Sequence, residues 1–173
     1  MKKFLCVMLF GLLASVSFAQ ENERRSLIFA GLGMGLDYGG LLGAQLEVVP
    51  VKYFGVFGGA GLNMAGLGWN VGGKINVSPD KVIPTSLVAM YGTNGVIKVD
   101  DERLSEYEAV SKGLTVGVVF EFKAKRNKLN IGLWVPFRDS EFRDKVQKAK
   151  NDPNAKIGVI LPIGFSFGYM FGF

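Results

Sequence analysis

The chain has 173 residues, of which 24 are glycine and 14 phenylalanine; 49% are hydrophobic and only 20% charged. Average glycine usage is roughly 7%, and here it is about twice that. A formal net charge of +5, falling to +3 without Lys2 and Lys3, is too small to argue for nucleic acid, and the chain has no histidine, which closes Ser–His–Asp catalysis and histidine-based zinc binding.

In chain order, the first element is an export signal. Lys2 and Lys3 form a charged start, Phe4 to Ala14 an apolar run, and Ser17-Phe18-Ala19 a small-x-small cleavage site. Residues 1–19 are therefore expected to be removed, with 20–26 left as a short tail. The one cysteine, Cys6, falls in the removed segment, so no disulfide is expected although the destination is oxidising. No later stretch runs 18 apolar residues, so no transmembrane helix is predicted.

From residue 27 onward the pattern has period two. The segment 27–36 sets Ile28, Ala30, Leu32, Met34 and Leu36 against Phe29 and three glycines. Segments 41–49, 54–64 and 69–77 repeat the theme, with Leu42, Ala44, Leu46 and Val48, then Val56, Ala60 and Leu62, then Trp69, Val71 and Ile75 on the apolar side. A fifth strand over 86–93 alternates poorly, and Asn94-Gly95 after it also reads as a two-residue hairpin turn. Segments 113–123 and 129–137 alternate cleanly. The last strand, "IGFSFGYMFGF" from Ile163 to Phe173, stacks Phe165, Phe167, Tyr169, Phe171 and Phe173 on one face and mostly glycine on the other.

Connections 50–53, 78–85 and 124–128 are turn-like, whereas 94–112 and 138–156 are long and fall on one end of an up-and-down meander. In the second long connection, Ser140 could cap a short helix with Glu141 at its start, Lys148 and Lys150 near its end, and Phe142 and Val146 on one face. The acidic bias of 98–112 and the basic bias of 138–156 fit two loops that are simply solvated, and would also let them lean on each other.

Alternation alone fits a soluble sandwich or a membrane barrel; the second face decides. It is largely glycine with Asn, Gln and few charges, a poor surface to show water. Covering the five aromatics of the last strand is worth on the order of 10 kcal/mol, and leaving them in water invites aggregation. Eleven extended residues tilted by about 40° project to about 28 Å, matching an apolar band of about 25 Å. The expected fold is all-β: an eight-stranded antiparallel up-and-down transmembrane β-barrel over 27–173, apolar side to lipid and glycine side to the lumen.

These features resemble the small outer-membrane β-barrels of Gram-negative bacteria, of the OmpA/OmpX transmembrane type. The resemblance implies location in the cell outer membrane with both termini periplasmic, contact with outer-membrane lipid, and insertion by the barrel-assembly machinery. In that family a terminal strand of alternating aromatics ending in Phe is the assembly signal, which Tyr169, Phe171 and Phe173 match here, with Phe165 and Phe167 continuing the alternation. No peptidoglycan-binding domain is expected after Phe173, so that role is not carried over.

For chemistry, "GLGMGLDYGG" looks like a dinucleotide fingerprint but lacks the βαβ context. Inward charges Glu47, Lys74, Glu121 and Lys123 share a depth near the periplasmic strand ends and are expected to plug the lumen as a charge cluster. No cofactor or metal is expected, no motif names an extracellular ligand, and a monomer is expected. The functional expectation is a non-enzymatic structural or surface-interacting barrel; the alternatives are a narrow pore for ions or small solutes and a lipid-modifying enzyme that uses carboxylates alone.

Overall fold

The structure, a computed structural model, describes residues 27–97, 109–152 and 161–173. The expected signal segment 1–19, the 20–26 tail and most of the acidic 98–112 stretch lie outside these residues. Eight strands form: β1 (Ile28–Gly35), β2 (Gly40–Val51), β3 (Phe54–Asn63), β4 (Gly66–Asn76), β5 (Thr85–Ile97), β6 (Ala109–Ala124), β7 (Asn127–Pro136) and β8 (Gly164–Gly172). Each pairs antiparallel with its neighbour in sequence, and β1 closes on β8 from Phe29 opposite Gly172 to Gly35 opposite Ser166. Closure leaves no open sheet edge. The expected eight-stranded antiparallel up-and-down barrel is the observed one.

The pleat sorts side chains as the sequence pattern requires. Outward positions are Ile28 to Met34, Leu42 to Val48, Phe54 to Leu62, Leu67 to Ile75, Leu87 to Tyr91, Leu114 to Phe122, Leu129 to Val135 and Phe165 to Phe171, taken at every second residue. None of them is charged or an amide. The opposite parity turns inside and is buried except toward the rims, as at Leu41 and Lys123, so the hydrophobic side is the outer wall and the lumen is the mixed side.

Turns β2–β3, β3–β4 and β6–β7 are two residues long, as the pairs Val51–Phe54, Asn63–Gly66 and Ala124–Asn127 show. The Asn63 side chain accepts from Ala65 N at 2.9 Å, which holds the second of them. The lower rim carries Ile28, Phe173 and the 77–84 turn; the upper rim carries the two long connections.

Two expectations about the upper rim need correction. Asn94-Gly95 is not a hairpin turn: β5 runs on to Ile97 through a bulge between Thr93 and Gly95. The bulge turns Asn94 inward, where its Nδ2 donates to the Phe137 and Leu114 carbonyls at 3.0 and 3.3 Å. An extra residue in one strand re-aims a side chain in this way, and it breaks the period-two pattern there. The helix forms as α1 (Ser140–Asn151), but Asp139 is its N-cap, accepting from Phe142 N at 2.6 Å, and Ser140 is its first residue. Its buried side chains are Phe142 and Ala149, while Val146 is half-buried. Ser111 donates to Asp139 at 3.1 Å and Arg138 Nε to the Asn94 carbonyl at 3.2 Å, tying the helix start to the β5–β6 hairpin. Asp139→Ala should therefore cost about 1 kcal/mol and Ser140→Ala a few tenths; amide exchange at Phe142 and Arg143 reads the difference.

Candidate functional site

The lumen is filled in three layers. The lowest is ionic. Glu47 on β2, Lys74 on β4, Glu121 on β6 and Lys128 on β7 each come from a different strand, and all are at least 95% buried. Lys74 pairs with Glu47 at 2.5 Å and with Glu121; Lys128 pairs with Glu47 at 2.7 Å and with Glu121 at 2.9 Å. Charges alternate round this four-membered ring, so each group meets two of opposite sign and the net charge is zero. The Lys128 ammonium also lies 4.1 Å from the Phe29 ring centroid.

Three of the four expected residues, Glu47, Lys74 and Glu121, are in the ring, but Lys123 is not. It is exposed and donates to the Pro79 carbonyl at 3.1 Å. The cause is the stagger of the barrel. Beyond Phe120, which faces Thr85, β6 has run past the end of β5 and lies beside the 77–84 turn, where Glu121 N bonds to Pro84. Lys123 thus overhangs the rim despite its inward parity. Lys128 sits opposite it in register, yet on its other side faces Met170 of β8, which continues below it. That second wall directs Lys128 into the lumen. Sequence reading placed Lys128 in a turn; its parity with Asn130 and Trp134 was the signal available.

The middle layer is apolar: Phe57, Val88, Met90, Val119 and Trp134 form one cluster, with Leu36 packed against it. Trp134 is fully buried and its indole donates to Ser166 Oγ at 2.9 Å. Gly132 makes room for the indole: a Cβ there would sit 2.7 Å from Nε1.

The upper layer is a loop folded into the barrel. Residues Leu36–Tyr38 make a single 3-10 turn, η1, between β1 and β2. Leu36 was expected on the outer face; instead the turn sends it to the Trp134 cluster. Asp37 and Tyr38 are buried at the centre, 3% and 0% exposed. Gln45 Nε2 donates to the Asp37 carbonyl at 3.1 Å, Asn70 Nδ2 to the Leu36 carbonyl at 2.6 Å, and the Tyr38 hydroxyl to Met170 sulfur at 3.5 Å.

This loop explains the glycine face. A Cβ at Gly33 would lie 2.7 Å from the Tyr38 ring, one at Gly61 2.5 Å from the Tyr38 carbonyl, and those at Gly43, Gly59 and Gly168 would overlap Tyr38 or Asp37. The wall is thin where the loop is seated, so "GLDYGG" is neither a phosphate cradle nor a plain tight turn. Asp37, Tyr38 and Trp134 went unread as lumen groups because their partner is an absence of side chains.

The C-terminal aromatics Phe165, Phe167, Tyr169, Phe171 and Phe173 all point outward and are at least 37% exposed. Asn127 Nδ2 donates to the Tyr169 hydroxyl at 2.9 Å and its Oδ1 accepts from Gly172 N at 3.3 Å, bracing the end of β8. Among the described residues, no three His, Cys, Asp or Glu side chains are grouped to hold a metal. No family model matches the chain, and no similar curated protein or solved structure is found.

Proposed function

We propose that the chain is an integral outer-membrane β-barrel with a side-chain-filled lumen, acting structurally or through the surface of its upper loops and not by catalysis. One observation carries this reading: between the rims the outer wall is apolar on all eight strands, and polar side chains enter the outward rows only near strand ends, as Thr85, Lys112 and Asn127. Such a belt in water would be an aggregation surface; in hydrocarbon it is the lowest-energy wall, because a closed barrel satisfies its own backbone. Aromatics at both edges add support. Tyr53, Phe54, Phe122 and Phe171 ring the lower rim, and Trp69, Tyr91, Phe137 and Phe165 the upper, the arrangement expected where a barrel crosses two interfaces.

On this reading the lower rim faces the periplasm and the long upper connections face outward. The likeness to OmpA/OmpX-type barrels, with Phe173 and the alternating aromatics before it serving as an assembly signal, belongs to the same proposal, as does the monomeric state. The three filled layers favour a closed lumen over a narrow pore. A carboxylate-only lipid-modifying enzyme is disfavoured because Glu47 and Glu121 are tied to lysines inside.

The protein should be recovered from membranes only with detergent and should migrate faster on a gel before boiling than after. In planar bilayers it should give no steady openings of nanosiemens size. Recovery of the folded barrel as a detergent-free soluble monomer would overturn the membrane reading, and steady openings would replace the closed lumen by the pore.

A further inference from the structure

The upper layer is closed by the chain folding into itself, and its construction makes that closure conditional. Gly35 (φ 115°) and Gly39 (φ 80°) bracket the 3-10 turn in the left-handed region, where glycine is unstrained. The loop thus enters and leaves the lumen on two pivots. Neutral groups hold it: the Gln45 and Asn70 amides on its carbonyls, the Tyr38 hydroxyl on Met170, and the Ser166 and Gln45 side chains on the Asp37 carboxylate. Opposing them is the Asp37 carboxylate. It is 3% exposed, its Oδ1 accepts no hydrogen bond, and among the described residues no lysine or arginine is paired with it. The groups beside it, Gln45 on β2, Asn70 on β4 and Ser166 on β8, are neutral. The four charged side chains of the lowest layer are engaged with one another. An ionised carboxylate buried without a cation is costly, and either taking up a proton in place or leaving the lumen relieves it.

We infer that Leu36–Tyr38 is a hinged stopper, exchanging between the seated position and a withdrawn one, and that the negative charge of Asp37 sets the balance between them. Withdrawal hydrates the carboxylate. It also uncovers a cup lined by Gln45, Asn70, Asn130 and Ser166 that runs beside Trp134. The middle and lowest layers stay in place, so an open stopper gives an open cup and not a channel. This inference rests on the closed barrel and not on its being in a membrane.

Ser166→Cys tests it. The position is 4% exposed, the change is nearly isosteric, and the chain's other cysteine, Cys6, can be replaced by serine. The rate of thiol modification by a small charged methanethiosulfonate is compared with and without Asp37→Asn in the folded protein. Asparagine keeps the shape and removes the charge, so the seated state gains population and the rate should fall by about tenfold or more. Equal rates, whether both fast or both undetectable, or a faster rate with asparagine, would overturn the stopper. If Ser166→Cys does not fold, as judged by mobility before and after boiling, Asn130→Cys, 3% exposed in the same cup, takes its place. A soluble protein with an Asp37-dependent rate would sink the membrane proposal and leave this one standing.

Discussion

Lys74→Met is expected to lower the unfolding free energy by about 3–5 kcal/mol, measured by urea titration of the purified barrel in detergent or vesicles. The substitution fits the volume but leaves Glu47 and Glu121 sharing Lys128 alone, so two buried carboxylates repel across a site with one cation. The cost comes mainly from the charge left behind and only slightly from the bonds lost. Removing one carboxylate with the lysine should accordingly undo most of it. Lys74→Met combined with Glu121→Gln leaves the Lys128–Glu47 pair intact and neutral, and is expected to regain more than half of the loss. Lys123→Met should stay within about 0.5 kcal/mol of the parent, because Lys123 is exposed and bonds only to a turn carbonyl. Equal costs for Lys74→Met and Lys123→Met would mean that the ring does not seal the lower lumen as a unit.

The contrast between those two lysines shows where the sequence was readable. Period-two alternation identified which side of each strand is apolar, because side-chain direction follows the pleat and nothing else. It carried seven strands, their order and the outward row Phe165, Phe167, Tyr169, Phe171, while the fifth strand, which alternates poorly, followed from the gap between 77 and 113. It also found Glu47, Lys74 and Glu121, whose parity and distance from the strand ends are local properties. Lys123 and Lys128 depend on something non-local: how far β6 overruns β5 and how far β8 extends beside β7. Stagger of that kind is a property of the closed barrel, and residue types at a turn do not encode it. Asn94 was misread for a related reason, since a bulge shifts parity by one residue and a turn-forming pair such as Asn-Gly then looks like a reversal.

The seated loop is the larger omission. Its sequence, Leu36-Asp37-Tyr38 between glycines, has every mark of a short connection, and the wall that receives it is recognisable only as missing side chains. An alternating glycine row reads equally well as an empty narrow lumen or as space kept for something else. Only the position of Tyr38 against Gly33 and Gly168 distinguishes the two.

That position yields a double-substitution cycle with a built-in control. The three atoms nearest a Cβ at Gly168 all belong to the Tyr38 side chain: it would overlap the hydroxyl and lie 2.7 Å from Cε2. Gly168→Ala alone should cost about 1–3 kcal/mol by overpacking, and Tyr38→Ala alone about 3–5 kcal/mol by emptying a fully buried aromatic site. Together they should cost at least about 1 kcal/mol less than the sum, because the shortened side chain removes the clash and the new methyl fills part of the void. Gly43 supplies the control. A Cβ there would strike the Tyr38 carbonyl, a backbone atom that Tyr38→Ala leaves where it is. Gly43→Ala and Tyr38→Ala should therefore add to within about 0.5 kcal/mol. Unfolding titrations of the five variants give both couplings. Additivity at Gly168 would mean that the tyrosine ring does not occupy the glycine cradle, and the thin wall would need a different occupant.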